Sequence, residues 1–239
     1  MLEIDALVIR VASLRTKSLT LLSGSDSEPL SNTRHSEAIT LEAHELDTAL
    51  EAWSQTLPKD WKFLTSIAPS GHPETNYFYN SIVHEYTTYG HAAVWNRYRA
   101  IRIIVNSIRI RSLSDQLQAL EYPSQRSFVA IQQDACQENI QSLVNDLCGG
   151  VPFFFNILDP TGGVAASRSI RLGTYTFRTD DEIFPKMAGL IAWPLTVAIS
   201  TEYVPESQRQ WLKGRLKAVA KSLGDAVLES VVEQGEFRF

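Results

Sequence analysis

The segment HEYTTYGH, residues 84–91, is the part of the sequence closest to a metal-binding motif. If this segment is helical, His84 and His91 share a face but lie two turns, about 10.5 Å, apart along the axis. One zinc ion with ligand bonds near 2 Å cannot span that distance, whereas an i, i+4 pair of histidines would suit it. We therefore expect histidines that face solvent or cap helix ends, and no metal site.

Three consecutive acids, Asp180, Asp181 and Glu182, are candidates for general acid–base chemistry. They follow Thr179, and a threonine with a glutamate three residues later is the capping-box pattern of a helix start. Carboxylates in the first turn are stabilised by the helix dipole and accept hydrogen bonds from free backbone N–H groups. We interpret these acids as helix-capping residues.

Sequence motifs of the common catalytic sites are absent. The chain contains no G-x-S-x-G nucleophile elbow, no P-loop, no G-x-G-x-x-G fingerprint and no H-E-x-x-H zinc motif. We expect a protein that is not an enzyme. An enzyme whose site the sequence does not reveal is the remote alternative.

Residues 91–111 carry five arginines, although the formal net charge of the 239-residue chain is −5. They are Arg97, Arg99, Arg102, Arg109 and Arg111. A helix that enters a DNA groove concentrates its positive charge on one face, whereas these arginines spread over much of the circumference. Arginine suits partly buried ion pairs because its planar group matches a carboxylate with two hydrogen bonds. We predict structural ion pairs for Arg99 and Arg102, and no direct DNA binding by this chain.

Apolar residues recur with the helical period along nearly the whole chain. The pattern predicts helices over 2–22, 37–57, 77–120, 125–148, 179–199 and from Pro205 to 227. We expect an all-α fold, a single multi-helix domain over residues 1–239 with long antiparallel helices.

The segments between these helices differ in composition. Residues 23–36 are rich in serine and are predicted to be a mobile linker. Gly149 and Gly150, followed by Pro152, are predicted to end the fourth helix. Residues 159–178 are predicted to be an irregular loop, within which residues 170–177 are the one strand candidate.

The two cysteines, Cys136 and Cys148, are too few for a disulfide framework or a zinc site. We interpret them as small buried side chains of a protein in a reducing, intracellular compartment. The first residues do not resemble a signal peptide, and no apolar run approaches the roughly 20 residues of a membrane span. We expect no association with a membrane.

Several segments resemble one family. HAAVWNRYRAIRIIVNSI (91–108) is similar to the Trp-Asn-x-Tyr-Arg helix of fungal transcription factors of the binuclear zinc-cluster class. Further pieces that resemble the family follow its order along the chain: LEAHELDTALEAWSQTLPKDWKF (41–63), DACQENIQSLVNDLCGGVPFFF (134–155), and AGLIAWPLTVAIS with QRQWLKGRLKAVAKSLGDA (188–226). The resemblance covers about residues 40–226 and concerns the family's regulatory region.

The resemblance implies an all-helical regulatory domain that resides in the nucleus and acts with transcriptional co-regulators. It also implies, in some members, a small lipophilic effector. The family's zinc cluster requires six cysteines, and this chain has two. The chain therefore resembles the regulatory half without the DNA-binding half, and we expect no cofactor in it; zinc belongs to the missing DNA-binding domain.

An effector would need an apolar cavity between helices. Candidate walls, each of which also suits an ordinary core position, are Trp95, Tyr98, Phe153, Phe154, Phe155, Met187 and Trp193. The alternative is a helical protein–protein interaction module without a small-molecule ligand, in which apolar stripes support a homodimer. An enclosed apolar cavity would favour the effector, and a solid core with an exposed apolar patch would favour the module.

Overall fold

The computed structural model describes residues 2–23, 29–67, 78–155, 169–172, 175–178 and 183–234. Its helices are α1 (Leu2–Ser23), α2 (Pro29–Thr56), α3 (Tyr89–Ala119), α4 (Pro123–Phe155), α5 (Pro185–Ser200), α6 (Glu206–Leu223) and α7 (Ala226–Gln234), with a short 3-10 helix at Lys59–Trp61. The strands are β1 (Leu64–Ile67), β2 (Ile82–Glu85), β3 (Ser169–Leu172) and β4 (Tyr175–Arg178). Helices dominate, so the all-α prediction is confirmed. None of the described helices is long and apolar enough to cross a membrane.

Residue contacts divide the chain into two compact units, each built from separate stretches. Unit 1 contains Met1–Leu57 and Ile101–Leu143, and unit 2 contains Pro58–Ala100 and Val144–Arg238. Helices α3 and α4 each contribute residues to both units. No feature of the sequence predicted this division.

Unit 1 packs α1 against α2, and α2 against its own part of α3. Gln116 donates to Thr40 over 2.8 Å, and Arg102 binds Asp47. Residue numbers rise along α3 as they fall along α2, so these two helices are antiparallel. The fully buried side chains of this core include Leu14, Leu46, Leu50, Ile103, Ile108, Leu113 and Ile140.

Unit 2 contains the antiparallel pair β1–β2, in which Thr65 lies opposite His84. The prediction of a helix from residue 77 is wrong at its start, because α3 begins only at Tyr89. Residues 83–86 alternate between half-buried and buried positions, the period of a strand rather than a helix. The Thr88 hydroxyl then accepts a hydrogen bond from the His91 N–H over 3.1 Å and caps α3.

The remaining helices of unit 2 are α5, α6 and α7, with α6 in contact with both others. Pro194 lies inside α5 without ending it, as predicted. Gly224 ends α6 with φ 64°, a left-handed conformation that favours glycine. The Asp225 carboxylate accepts the N–H of Val227 over 2.9 Å and caps α7.

The prediction of a mobile linker over 23–36 is wrong for most of its length. Ser23 is the last residue of α1, and residues 29–36 form the start of α2. Pro29 suits the first helical position because its missing N–H would have no partner there. Residues 24–28 lie outside the described residues.

The prediction of an irregular loop over 159–178 is wrong for its end. Strands β3 and β4 pair there, with Ile170 opposite Phe177, as the alternation of the strand candidate at 170–177 indicated. Residues 159–168 lie outside the described part, and so does the capping box formed by Thr179 and Glu182 with its neighbouring acids.

The predicted end of the fourth helix at Gly149 and Gly150 is also wrong, because α4 continues to Phe155 and contains Pro152. The glycines serve close packing instead. A Cβ added at Gly150 would lie 2.9 Å from the Tyr86 hydroxyl, closer than side chains tolerate. Pro152 falls in the last turn of the helix, where one missing hydrogen bond interrupts little of the helix.

Candidate functional site

A group of buried polar residues surrounds Arg99 in unit 2. Strand β2 and the residue after it supply His84 and Tyr86, which are two positions apart and both buried. Helix α3 supplies Asn96 and Arg99, which are three positions apart and so share a face. Helix α4 supplies Gly150. We call these five residues the Arg99 cluster.

The guanidinium of Arg99 is bound by neutral acceptors. Its Nη1 donates to the Tyr86 hydroxyl over 2.6 Å and to Asn96 Oδ1 over 2.9 Å. Its Nη2 lies 3.2 Å from His84 Nδ1. Only 1% of Arg99 is exposed, yet it forms no ion pair with a carboxylate in the described part of the chain. The predicted carboxylate partner of Arg99 is therefore replaced by a hydroxyl, an amide and an imidazole.

The hydrogen bond between Arg99 and His84 fixes the state of the imidazole. A guanidinium only donates, so His84 Nδ1 must accept and the ring proton must be on Nε2. Burial, and then the charge of Arg99, lower the pKa of His84 from 6.5 to about 3, against a hydrogen bond to the backbone of Asp146. His84 is therefore neutral at neutral pH.

The carboxylate nearest to the cluster belongs to Asp146. Its Oδ1 lies 3.9 Å from His84 Nε2, and its side chain is half-exposed. Burial raises the pKa of Asp146, and the charge of Arg99 opposes that shift. Burial likewise raises the pKa of Tyr86, so its hydroxyl stays protonated. Among the described residues, the carboxylate that offsets the positive charge of Arg99 thus lies on the far side of the imidazole ring.

Aromatic rings cover the cluster. The centroid of the Phe63 ring lies 4.9 Å from the Arg99 guanidinium and 4.2 Å from the His84 ring. Trp95 meets Phe63 edge-on at 5.0 Å, and its indole N–H donates to the Trp61 carbonyl over 2.7 Å. A cation over an aromatic face is stabilised by the ring quadrupole, the more so when water is excluded. These rings help to keep an unpaired guanidinium buried.

Asn96 has a buried side-chain atom without a hydrogen-bond partner in the described part of the chain. Asn96 Oδ1 must face Arg99 because the guanidinium offers only donors, so the Nδ2 amide group points elsewhere. Nδ2 is buried and has no hydrogen-bond acceptor within the described ranges. A buried donor without an acceptor destabilises the fold by about 1–3 kcal/mol.

The predicted walls of an effector pocket divide into three groups. Trp95 and Tyr98 meet edge-on at 5.5 Å, next to the Arg99 cluster. Phe153 contacts the Tyr86 ring at 5.3 Å, and Phe154 contacts Phe153 at 6.0 Å.

Of the other predicted walls, Phe155 lies under the guanidinium of Arg215 at 5.4 Å, away from these contacts. Met187 and Trp193 are on α5. Trp193 is 39% exposed, so the expectation that it lies in the core is wrong. Trp193 was assigned to the core with the other apolar residues of its helix, but it lies on the side of α5 that meets solvent.

Arg102, the other predicted ion-pair residue, belongs to unit 1. Its Nε and Nη2 donate to Asp47 Oδ1 and Oδ2 over 2.7 and 2.8 Å, a two-point contact. Asn106 Nδ2 donates to the same Asp47 Oδ1 over 2.9 Å, and Glu51 Oε2 lies 3.5 Å from Arg102. Here the arginine charge has a carboxylate partner that is itself buried.

His84, Tyr86 and Asn96 are the members of the cluster that sequence reasoning did not single out as site residues. His84 was expected to face solvent or to cap a helix, but it is a buried strand residue. The signal that could have found Asn96 is an amide three positions before an arginine inside a strongly apolar helix. Such residues are buried only when they bond each other or another polar group.

The arrangement is suited to binding rather than to proton transfer. The Nδ1 lone pair that His84 would need as a base is occupied by Arg99. Within the described ranges, no group of three or more His, Cys, Asp and Glu residues could hold a metal ion. Comparison with protein-family models, curated proteins and solved structures found no match.

Proposed function

We propose that this chain is an effector-responsive regulatory domain of the kind found in fungal zinc-cluster transcription factors. In this proposal it resides in the nucleus, acts through co-regulators and does not contact DNA itself. The DNA-binding zinc cluster would be supplied by another domain. An effector would act by binding one conformation of the domain more tightly than another.

The observation that carries the proposal is the meeting of separate family-like segments in unit 2. The Trp-Asn-x-Tyr-Arg helix contributes Asn96 and Arg99 to the cluster, and the segment that ends in Val-Pro-Phe contributes Gly150. The Leu-Pro-x-x-Trp segment contributes the Trp61 carbonyl, which accepts from Trp95.

The fourth family-like segment joins the same unit. Gln208 on α6 donates to Asn145 over 2.9 Å and lies 3.4 Å from the sulfur of Cys148. Segments that resemble one family therefore supply the polar contacts of one unit. This association of the segments supports the proposal.

A tethering experiment tests this function. The chain is fused to a heterologous zinc-cluster DNA-binding domain in a fungal cell that carries the matching reporter gene. We expect reporter output to differ from that of the DNA-binding domain alone. Gly150→Ala, which places a Cβ 2.9 Å from the Tyr86 hydroxyl, should abolish the difference. Gly189→Ala, with no atom within 4 Å of the added Cβ, is the matched control. Output equal to that of the DNA-binding domain alone would contradict the proposal.

A helical interaction module without a small-molecule ligand is the second candidate, favoured by an exposed apolar face of α4. Phe128 and Ile131 are 66% and 65% exposed, and they are three positions apart on the helix. Sedimentation analysis of the chain and of a Phe128→Ser, Ile131→Ser variant tests it. A wild-type dimer that the variant loses would support the module, and a monomer at all concentrations would reject self-association.

A further inference from the structure

Arg99 has hydrogen-bonding capacity that the protein leaves unused. A guanidinium carries five N–H donors, and Arg99 directs two from Nη1 and one from Nη2 to its neighbours. Its Nε–H and the second Nη2–H have no acceptor in the described part of the chain. In Arg102 the same two nitrogens, Nε and Nη2, hold the Asp47 carboxylate. The atoms with which an arginine binds a carboxylate side-on are thus available in Arg99.

Asn96 supplies a second and independent unused donor. Its Nδ2 is buried without a partner, while its Oδ1 is held by Arg99. One positive charge and three nitrogens with unused N–H donors therefore lie on two residues one helical turn apart. A carboxylate group has matching charge, and its oxygens carry lone pairs for several such donors.

Phe63 lies between this site and solvent. Its half-buried ring covers the Arg99 guanidinium, and the neighbouring residues Lys62 and Leu64 are exposed. The Trp95 ring lies over the same guanidinium at 5.7 Å, so a ligand that enters on this side requires Phe63 to move aside. The rings of Phe63 and Trp95 would then border the apolar part of a ligand.

We propose that Arg99 and Asn96 form a subsite for the carboxylate of a small organic acid with an aromatic or aliphatic body. This rests on the proposed effector-responsive function and names the chemical class of the effector. Bound acid would place a negative charge beside a guanidinium whose hydrogen-bond partners among the described residues are all neutral. A monoanion matches the single charge, so inorganic phosphate should bind less well.

Thermal unfolding of the whole chain at pH 7 tests the subsite. The probes are benzoate, 4-phenylbutyrate and decanoate, each compared with its neutral amide, and inorganic phosphate at the same ionic strength. At least one carboxylate should raise the Tm with rising concentration, because it binds only the folded state. Its amide and phosphate should raise it by less than half as much. No shift with any carboxylate, or equal shifts with acid and amide, would overturn the proposal.

Two variants assign the binding to these residues. Asn96→Asp keeps an oxygen facing Arg99 and adds an internal carboxylate, so it should fold and bind the acid at least tenfold more weakly. Arg97→Gln changes the net charge by the same amount as Asn96→Asp, at an exposed position two residues from Arg99. It should bind the acid like the wild type. Unchanged binding by Asn96→Asp, or equal weakening by both variants, would place the acid elsewhere and reject the subsite.

The outcomes separate this inference from the function beneath it. A chain that alters reporter output when tethered but binds no carboxylate keeps the proposed function and loses the subsite. A chain that binds acid through Asn96 but leaves the reporter unchanged keeps the subsite and loses the regulatory function.

Discussion

Arg99 and Arg102 are three positions apart on α3 and are both buried, but their charges are balanced differently. In unit 1, Arg102 binds the buried carboxylate of Asp47 through two hydrogen bonds. In unit 2, Arg99 binds a hydroxyl, an amide and a neutral imidazole, and the nearest acid, Asp146, lies beyond the imidazole. The first arrangement contains its own anion, whereas no carboxylate of the described residues forms an ion pair with Arg99.

The difference separates a structural role from a binding role for the same residue type. The two partners of a buried ion pair bind each other and leave no site for a ligand. Removal of one partner destabilises the fold, because the other charge stays buried without a partner. A buried cation with neutral partners retains capacity for an anion. Both arrangements are compatible with folding, because aromatic rings and polar acceptors stabilise the unpaired guanidinium.

The largest expected loss of stability follows substitution of Asp47, and the same substitution of Asp146 is the comparison. Asp47→Ala should lower the free energy of unfolding by about 3–5 kcal/mol, because it strands the Arg102 charge in the core. Asp146→Ala should change it by no more than about 1 kcal/mol, because that side chain is half-exposed and does not contact Arg99. Urea denaturation at pH 7 measures both. Equal losses would mean that Arg99 depends on Asp146 as Arg102 depends on Asp47.

The aromatic cover of the Arg99 cluster gives the next effect. Trp95→Ala should cost about 3 kcal/mol, since it removes an indole that packs on Phe63 and donates to Trp61. Trp193→Ala should cost less than about 1 kcal/mol, because its side chain is partly in solvent. The same denaturation measurement applies. A small loss of unfolding free energy in Trp95→Ala would mean that the aromatic rings do not keep Arg99 buried.

Close packing at α4 gives a somewhat smaller effect. Gly150→Ala should cost about 2 kcal/mol, because its Cβ would displace the Tyr86 hydroxyl from Arg99. Gly189→Ala in α5 should instead gain about 0.5–1 kcal/mol, since the site is open and alanine favours the helix. Thermal unfolding of the two variants should give Tm shifts of opposite sign, and shifts of the same sign would refute the packing role of Gly150.

The smallest effect concerns pH. The pKa of His84 is lowered on folding to about 3 from 6.5, so its contribution to stability is full above pH 6.5 and is lost as the pH falls. By linkage, this histidine should lower the free energy of unfolding by about 1 kcal/mol between pH 7 and pH 5.5. His84→Gln keeps an acceptor for Arg99 but cannot titrate. Between pH 7 and pH 5.5 its free energy of unfolding should therefore fall by about 1 kcal/mol less than that of the wild type. An identical pH dependence would mean that His84 titrates normally in the folded protein.

The helical period of apolar residues was enough to predict the all-α fold. Each long helix buries one face, and that face carries apolar residues every three or four positions. The pattern gave wrong predictions where the composition of a segment did not match its conformation in the structure. Residues 29–36 belong to α2, which Pro29 begins, although they are part of the serine-rich segment 23–36. Gly150 lies inside α4, where the Tyr86 hydroxyl leaves no room for a Cβ. Such contacts come from residues distant in sequence, which a local pattern does not record.

The site was predictable only in part for the same reason. The suitability of arginine for partly buried ion pairs led to the prediction for Arg102, and the structure gives it a carboxylate from α2. The identical reasoning applied to Arg99 led to the wrong partner. Whether a carboxylate or a hydroxyl faces a buried arginine depends on which helix or strand lies opposite, and here β2 was mistaken for helix.

The most direct test of the account is the same substitution at two buried asparagines of α3. Asn96→Asp places a carboxylate beside Arg99, which forms no ion pair with any described residue, so the variant should be at least as stable as the wild type at pH 7. Asn106→Asp places a carboxylate 2.9 Å from Asp47 Oδ1, which is already paired, so it should lose at least about 2 kcal/mol. Similar losses in both variants, measured by urea denaturation, would show that Arg99 already has its full counter-charge and would contradict the account.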